Sequence, residues 1–123
     1  MDFYEVCQRI VGLHESIFAS ALLEEGVIRA IRIRSGEQLE QQRLDTIMAQ
    51  FWRGSAFFRE SEALFGVMQH LVVHYNSADV MMFSVILNGR QFRLAVFAKH
   101  GYVHEELVEK IGMYLADLKA HKA

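Results

Sequence analysis

With 123 residues, 52% of them apolar and 23% charged, and a net charge of −2, the chain can build one buried core and lacks the basic balance of a general nucleic-acid binder. Its one cysteine, Cys7, cannot close a disulfide within the chain, which points to a reducing compartment, and Met1-Asp2-Phe3-Tyr4-Glu5 has no signal-peptide pattern. The longest apolar run, Val80 to Leu87, is broken by Ser84 and falls far short of the roughly 20 residues of a membrane helix, so a single cytoplasmic domain over residues 1–123, without membrane insertion, is expected.

Residues 3 to 17 place Phe3, Val6, Cys7, Ile10, Val11, His14 and Ile17 at spacings of three and four, the pattern of an amphipathic helix. Phe18 to Leu23 and Val27 to Arg34 are β-prone runs around Glu24-Glu25-Gly26, which reads as a hairpin. In the second run the period of two puts Arg29, Ile31 and Ile33 on one face and Ala30, Arg32 and Arg34 on the other, as on a half-exposed edge strand. Ser35-Gly36 breaks it. A long helix from about Leu39 to Arg59 follows, with Leu44, Ile47, Met48 and Phe51 as its main stripe and Trp52, Ser55 and Phe58 widening it beyond what one packing contact needs.

Three strands come next: Val67 to Tyr75, Val80 to Leu87 and Gln91 to Ala98. They are separated by Asn76-Ser77-Ala78-Asp79 and by Asn88-Gly89-Arg90, a strong hairpin turn. The middle strand is apolar on both faces, as a strand covered on both sides would be. Residues 103 to 119 return to helical spacing, with Glu105 and Glu106 where the helix dipole favours negative charge. The order α-β-β-α-β-β-β-α is that of an α+β domain, one antiparallel sheet covered by helices on both faces.

No catalytic constellation emerges. His70 and His74 lie about 13 Å apart along a strand, too far to share one metal ion. His100 and His104 are separated by Gly101, and His14 reads as a core-edge residue. Cys7 lies on an apolar stripe with nothing nearby in sequence to activate it. There is no nucleotide-phosphate loop and no nucleophile elbow. The expectation is no enzyme, no metal and no cofactor. Two features invite a binding role. Arg29, Arg32 and Arg34, with Arg90 and Arg93, form either a basic partner patch or a solvated edge that discourages aggregation. Phe51, Trp52, Phe57 and Phe58 need cover from the sheet or from a second subunit, and the breadth of the stripe favours a dimer.

Four stretches carry a family resemblance: Phe18-Ala19-Ser20-Ala21-Leu22-Leu23-Glu24-Glu25-Gly26-Val27-Ile28, the helix from Leu39 to Arg59, the hairpin from Val80 to Ala98, and the helix from Glu105 to Leu118. Together they resemble the Roadblock (dynein light-chain) family of the profilin-like, longin-related folds, in particular its short archaeal members of unassigned function. The resemblance implies a five-stranded antiparallel sheet in the order 2-1-5-4-3, with the first and last helices on one face and the middle helix on the other. It also implies a homodimer formed by the third strands and middle helices. By position, that interface would use Ile47, Met48, Phe51, Trp52, Phe58, Leu71, Val73 and Tyr75. Relatives regulate or scaffold small GTPases or assemble signalling proteins, so an adaptor of that kind is the first expectation. The chain departs from the commoner pattern in the arginines of its second strand and in the aromatic, acidic segment from Phe57 to Leu64. The alternatives are a small-ligand-sensing domain of PAS or longin-like type and a nucleic-acid binder using Arg29, Arg32, Arg34 and Arg93.

Overall fold

The computed structural model describes residues 2–54 and 59–122. Helix α1 (Phe3–Val11) is capped by Asp2, whose carboxylate accepts from the N–H groups of Tyr4 at 3.0 Å and Glu5 at 3.3 Å. It stops at Gly12, short of the expected residue 17, so His14 lies in the following turn. There its Nδ1 accepts from the Ser16 N–H at 3.0 Å.

Strands β1 (Ile17–Glu24) and β2 (Val27–Ile33) are joined by Glu25 and Gly26, and β4 (Asp79–Leu87) and β5 (Arg90–Ala98) by Asn88 and Gly89. All four connecting residues have positive φ, which a two-residue type I′ turn requires and glycine adopts without strain. With β3 (His70–His74) they form a five-stranded antiparallel sheet in the order β2-β1-β5-β4-β3. β2 and β3 are its free edges.

Strand alternation divides the core in two. Leu22, Met81, Phe83, Leu94 and Val96 point to the face covered by α1 and α4 (His104–Lys122), where Cys7, Ile10, Leu107 and Ile111 meet them. Ala19, Ala21, Leu23, Val80, Met82, Ala95 and Phe97 point to the opposite face, covered by Leu44 and Met48 of α2 (Gln41–Gly54). The arrangement of helices about the sheet is the one that the resemblance implied.

Two bulges adjust the alternation. One, between Ile17 and Ala19, turns Phe18 toward the α2 face. The other leaves Arg29 opposite no residue of β1, so Ile28 joins Ile31 and Ile33 on that face in place of Arg29.

Of the helix expected from Leu39 to Arg59, α2 is described over Gln41–Gly54, and residues 55–58 lie outside the described residues. Helix α3 (Arg59–Phe65) precedes the sheet's third strand. That strand starts at His70 rather than Val67, because side chains hold the residues before it. The Glu62 carboxylate accepts the Met68 N–H at 2.8 Å, and Ser84 Oγ donates to the Met68 carbonyl at 2.5 Å.

Candidate interaction site

The two faces of the sheet are covered unequally. Two helices close one; α2 lies on the other, toward the β2 edge, and α3 approaches it where Glu62 lies 3.9 Å from Arg93. Gly26 and Trp52 set that position, since a Cβ on Gly26 would come within 2.8 Å of the indole. Among the described residues, α2 does not close the β4–β3 side of this face.

There a cavity of about 750 Å³ opens between α2 and the sheet. Its sheet side is Phe18, Leu71, Val80, Met82 and Phe97; Ile47, Phe51 and Trp52 border it on α2, and Met68 and Tyr75 close its ends. Ile47 is 42% exposed and Tyr75 52% exposed, so large apolar groups lie open on its margin.

The residues expected at a dimer interface distribute as follows. Ile47, Phe51, Trp52, Leu71 and Tyr75 all line this cavity. Met48 does not: it is fully buried in the core between α2 and the sheet, because it follows Ile47 on the helix and turns inward. Val73 is half-buried on β3 and does not line the cavity. Phe57 and Phe58 lie outside the described residues, as does Ser55.

Arg93, the one charged group in the lining among the described residues, was expected on an outer patch. It is instead 9% exposed, because it follows Phe92 on β5 and points to the α2 face. Its Nη1 donates to Ser84 Oγ, and Nη2 lies 3.9 Å from Glu62.

The other arginines are equally occupied. Arg34 donates to the carbonyls of Ile17 at 2.8 Å, Val11 at 2.6 Å and His14 at 2.9 Å, tying β2 to the end of α1. Arg32 donates to the Tyr4 hydroxyl at 2.9 Å. Arg29 and Arg90 both donate to Glu24, whose carboxyl their hydrogen bonds and charge hold below its ordinary value. The structure therefore does not bring Arg29, Arg32, Arg34 and Arg93 together as one basic patch: Arg32 and Arg34 reach toward α1, whereas Arg93 reaches under α3.

At the far end of the sheet a polar cluster forms from residues that lie apart in sequence. Asp79, 4% exposed, receives His74 Nδ1 at 2.9 Å and His100 Nε2 at 3.1 Å on one oxygen, and the Tyr102 hydroxyl on the other. Burial pushes the Asp79 carboxyl up, but these three hydrogen bonds outweigh it and hold the group below the usual carboxylate value. Burial and the same bond push the Tyr102 phenol well above its ordinary value. His70 stacks on Phe83, with ring centroids 5.6 Å apart, so the two histidines of β3 have separate surroundings.

Among the described residues no three His, Cys, Asp or Glu side chains are arranged to hold a metal ion. Cys7 is fully buried, and that burial pushes its thiol up to about 11. Among the described residues no helix is long and apolar enough to cross a membrane.

Sheet order and helix placement define the fold, and comparison with solved structures bears on the same point. The chain is similar to a Roadblock/LC7 domain from Streptomyces avermitilis, with a TM-score of 0.74 at 17% identity over 98% of each chain. It is similar to the gliding protein MglB from Thermus thermophilus, with a TM-score of 0.75 at 14% identity over 97% of this chain and 86% of that one. It is also similar to an MglB described as having a tetrameric arrangement, with a TM-score of 0.74 at 13% identity over 96% and 85% of the two chains. No family model matches the sequence, and no curated protein matches it. The chain has the Roadblock/LC7 fold.

Proposed function

We propose that this chain is a homodimeric protein-interaction module that binds rather than catalyses, and that it serves in the cytoplasm as an adaptor or regulator for a small GTPase. The observation that carries the dimer is the uneven cover of the sheet. An apolar cavity bordered by exposed Ile47 and Tyr75 lies next to the free β3 edge. Large apolar groups and an unpaired strand edge are the surfaces that a soluble chain protects by association. A tetrameric arrangement in one structural neighbour supports self-association in this fold. The GTPase role rests on the resemblance to the Roadblock family and on the fold shared with MglB structures.

Light scattering at micromolar concentration tests the first part. The expected mass is twice the 14.2 kDa of the chain, and Ile47→Glu should halve it; a monodisperse wild-type monomer would sink the reading. Affinity capture with the wild-type dimer, run with GTP and with GDP analogues, tests the second. A small GTPase retained in one nucleotide state supports the role, and no GTPase in either state removes it.

A second reading draws on the same cavity. Its volume of about 750 Å³ lies within the range of roughly 300–1,000 Å³ typical of small-ligand sites. Native mass spectrometry of freshly purified protein distinguishes the two, since a ligand-sensing domain would carry added mass.

A further inference from the structure

The last turn of α3 and the residues just after it form the most exposed apolar stretch of the described chain. Leu64 is 80% exposed, Phe65 85% and Val67 61%. They are presented from a fixed mount. Gly66 closes α3 with φ +91° and donates its N–H to the Glu62 carbonyl at 2.9 Å. The Glu62 side chain holds the Met68 N–H, Arg93 lies beside Glu62 and donates to Ser84, and Ser84 donates to the Met68 carbonyl. This network anchors the knuckle to β4 and β5 while its three large apolar side chains face water.

From this we infer that the α3 knuckle of one copy fills the α2–β3 cavity of a second copy, with Leu64 and Phe65 as the inserted residues. The inference rests on the dimer reading above and says what completes the site. Knob and cavity belong to the same chain, and Met68 links them: it follows the knuckle directly and lines the cavity. Apolar side chains are thus exposed both on the knuckle, at Leu64, Phe65 and Val67, and on the cavity margin, at Ile47 and Tyr75.

A protrusion and a pocket on one chain form a self-complementary pair. A two-fold axis satisfies both contacts at once, because residue i meets j and j meets i. The free charges are complementary: α3 carries exposed Glu60 in its first turn, and α2 carries exposed Arg53 in its last. A small ligand in the cavity would leave Leu64 and Phe65 in water; a second copy covers both.

The test uses the full chain with Leu64→Ser and Phe65→Ser introduced together. Trp52, the chain's one tryptophan, borders the cavity and reports its filling. The wild type should dimerise. The double variant should keep its circular dichroism, because both side chains are exposed in the single chain, and lose only that part of the thermal midpoint which dimerisation contributes. It should self-associate about a hundredfold more weakly, two large apolar side chains having lost their cover, and its Trp52 emission should shift to the red.

As a second measurement, chains carrying Phe65→Cys are mixed with chains carrying Ile47→Cys and oxidised. The mixed disulfide should dominate over either homodisulfide, with Cys7 buried and silent. A wild-type dimer whose double variant associates equally tightly, and whose cysteine variants link only like to like, overturns the knuckle assignment and leaves the dimer reading intact. A monomeric wild type overturns both.

Discussion

Gly26, in the turn between β1 and β2, lies directly against Trp52 of α2: a Cβ placed on it would be 2.8 Å from the indole Cγ and 2.9 Å from Cδ1. Its φ of +79° adds a second reason for glycine. The hairpin turn and the seating of the helix thus meet at one residue. Gly26→Ala would incur backbone strain and force the indole to move, at a cost of about 2–3 kcal/mol. Urea unfolding followed by Trp52 fluorescence should show both the lowered midpoint and an altered native emission. An unchanged midpoint would mean that α2 is not held down at this turn.

Ile47 and Met48 are neighbours in sequence and opposite in environment, and substitution should separate them. Met48 is fully buried among Ala19, Leu23 and Ala95, so Met48→Ala should leave a void and cost about 2–5 kcal/mol in unfolding free energy. It should not change the mass of the folded form. Ile47→Ser should do the reverse, with little loss of chain stability and weakened association. Paired denaturation and light-scattering measurements decide the matter. Equal effects of the two substitutions on both readouts would contradict the orientation of α2.

Several of these features are legible in the amino-acid sequence. The Glu25-Gly26 and Asn88-Gly89 turns, the alternating strands and the stripe of α1 give the elements and their succession, whereas the sheet order and the faces taken by the helices follow from the family resemblance. Val67 and Met68 look like the start of a strand, yet the Glu62 carboxylate and the Ser84 hydroxyl take the Met68 backbone groups; that competition is tertiary and has no local signature. The bulge at Arg29 is hidden in the same way, since strict alternation assumes a ladder with no extra residue. As for the interaction site, the outward residues of α2 can be read from helical spacing, whereas the inward turn of Arg93 depends on which face of β5 the α2 helix covers.

Arg93 offers a direct check of that tertiary network. It is almost wholly buried, donates to Ser84 Oγ and lies 3.9 Å from Glu62. Arg93→Met keeps the apolar stem and removes the donors, leaving Ser84 and Glu62 short of a partner at a cost of about 1–3 kcal/mol. The loss should be local as well as global. Hydrogen exchange at the Met68 amide should quicken more than exchange in β1, because the Glu62 carboxylate that holds it loses its neighbouring charge. Uniform acceleration across the sheet would show that Arg93 contributes to the core without positioning α3.

Asp79 joins the end of β4 to the residues after β5 by accepting from His74, His100 and Tyr102, and its carboxyl is held below the usual carboxylate value. The sign of the pH dependence follows. A carboxyl whose pKa is lower folded than unfolded stabilises the native state fully above the ordinary value of about 3.9, and that contribution drains away as pH falls from there through the folded pKa. Asp79→Asn has no such group. At neutral pH the variant should be less stable by roughly 1–3 kcal/mol, since a neutral amide replaces a charged acceptor of three hydrogen bonds. The gap between wild type and variant should narrow steadily below about pH 4. Thermal unfolding across pH 2.5 to 7 measures that gap. If it stays constant over the whole range, Asp79 titrates alike in both states and the three hydrogen bonds do not favour its ionised form.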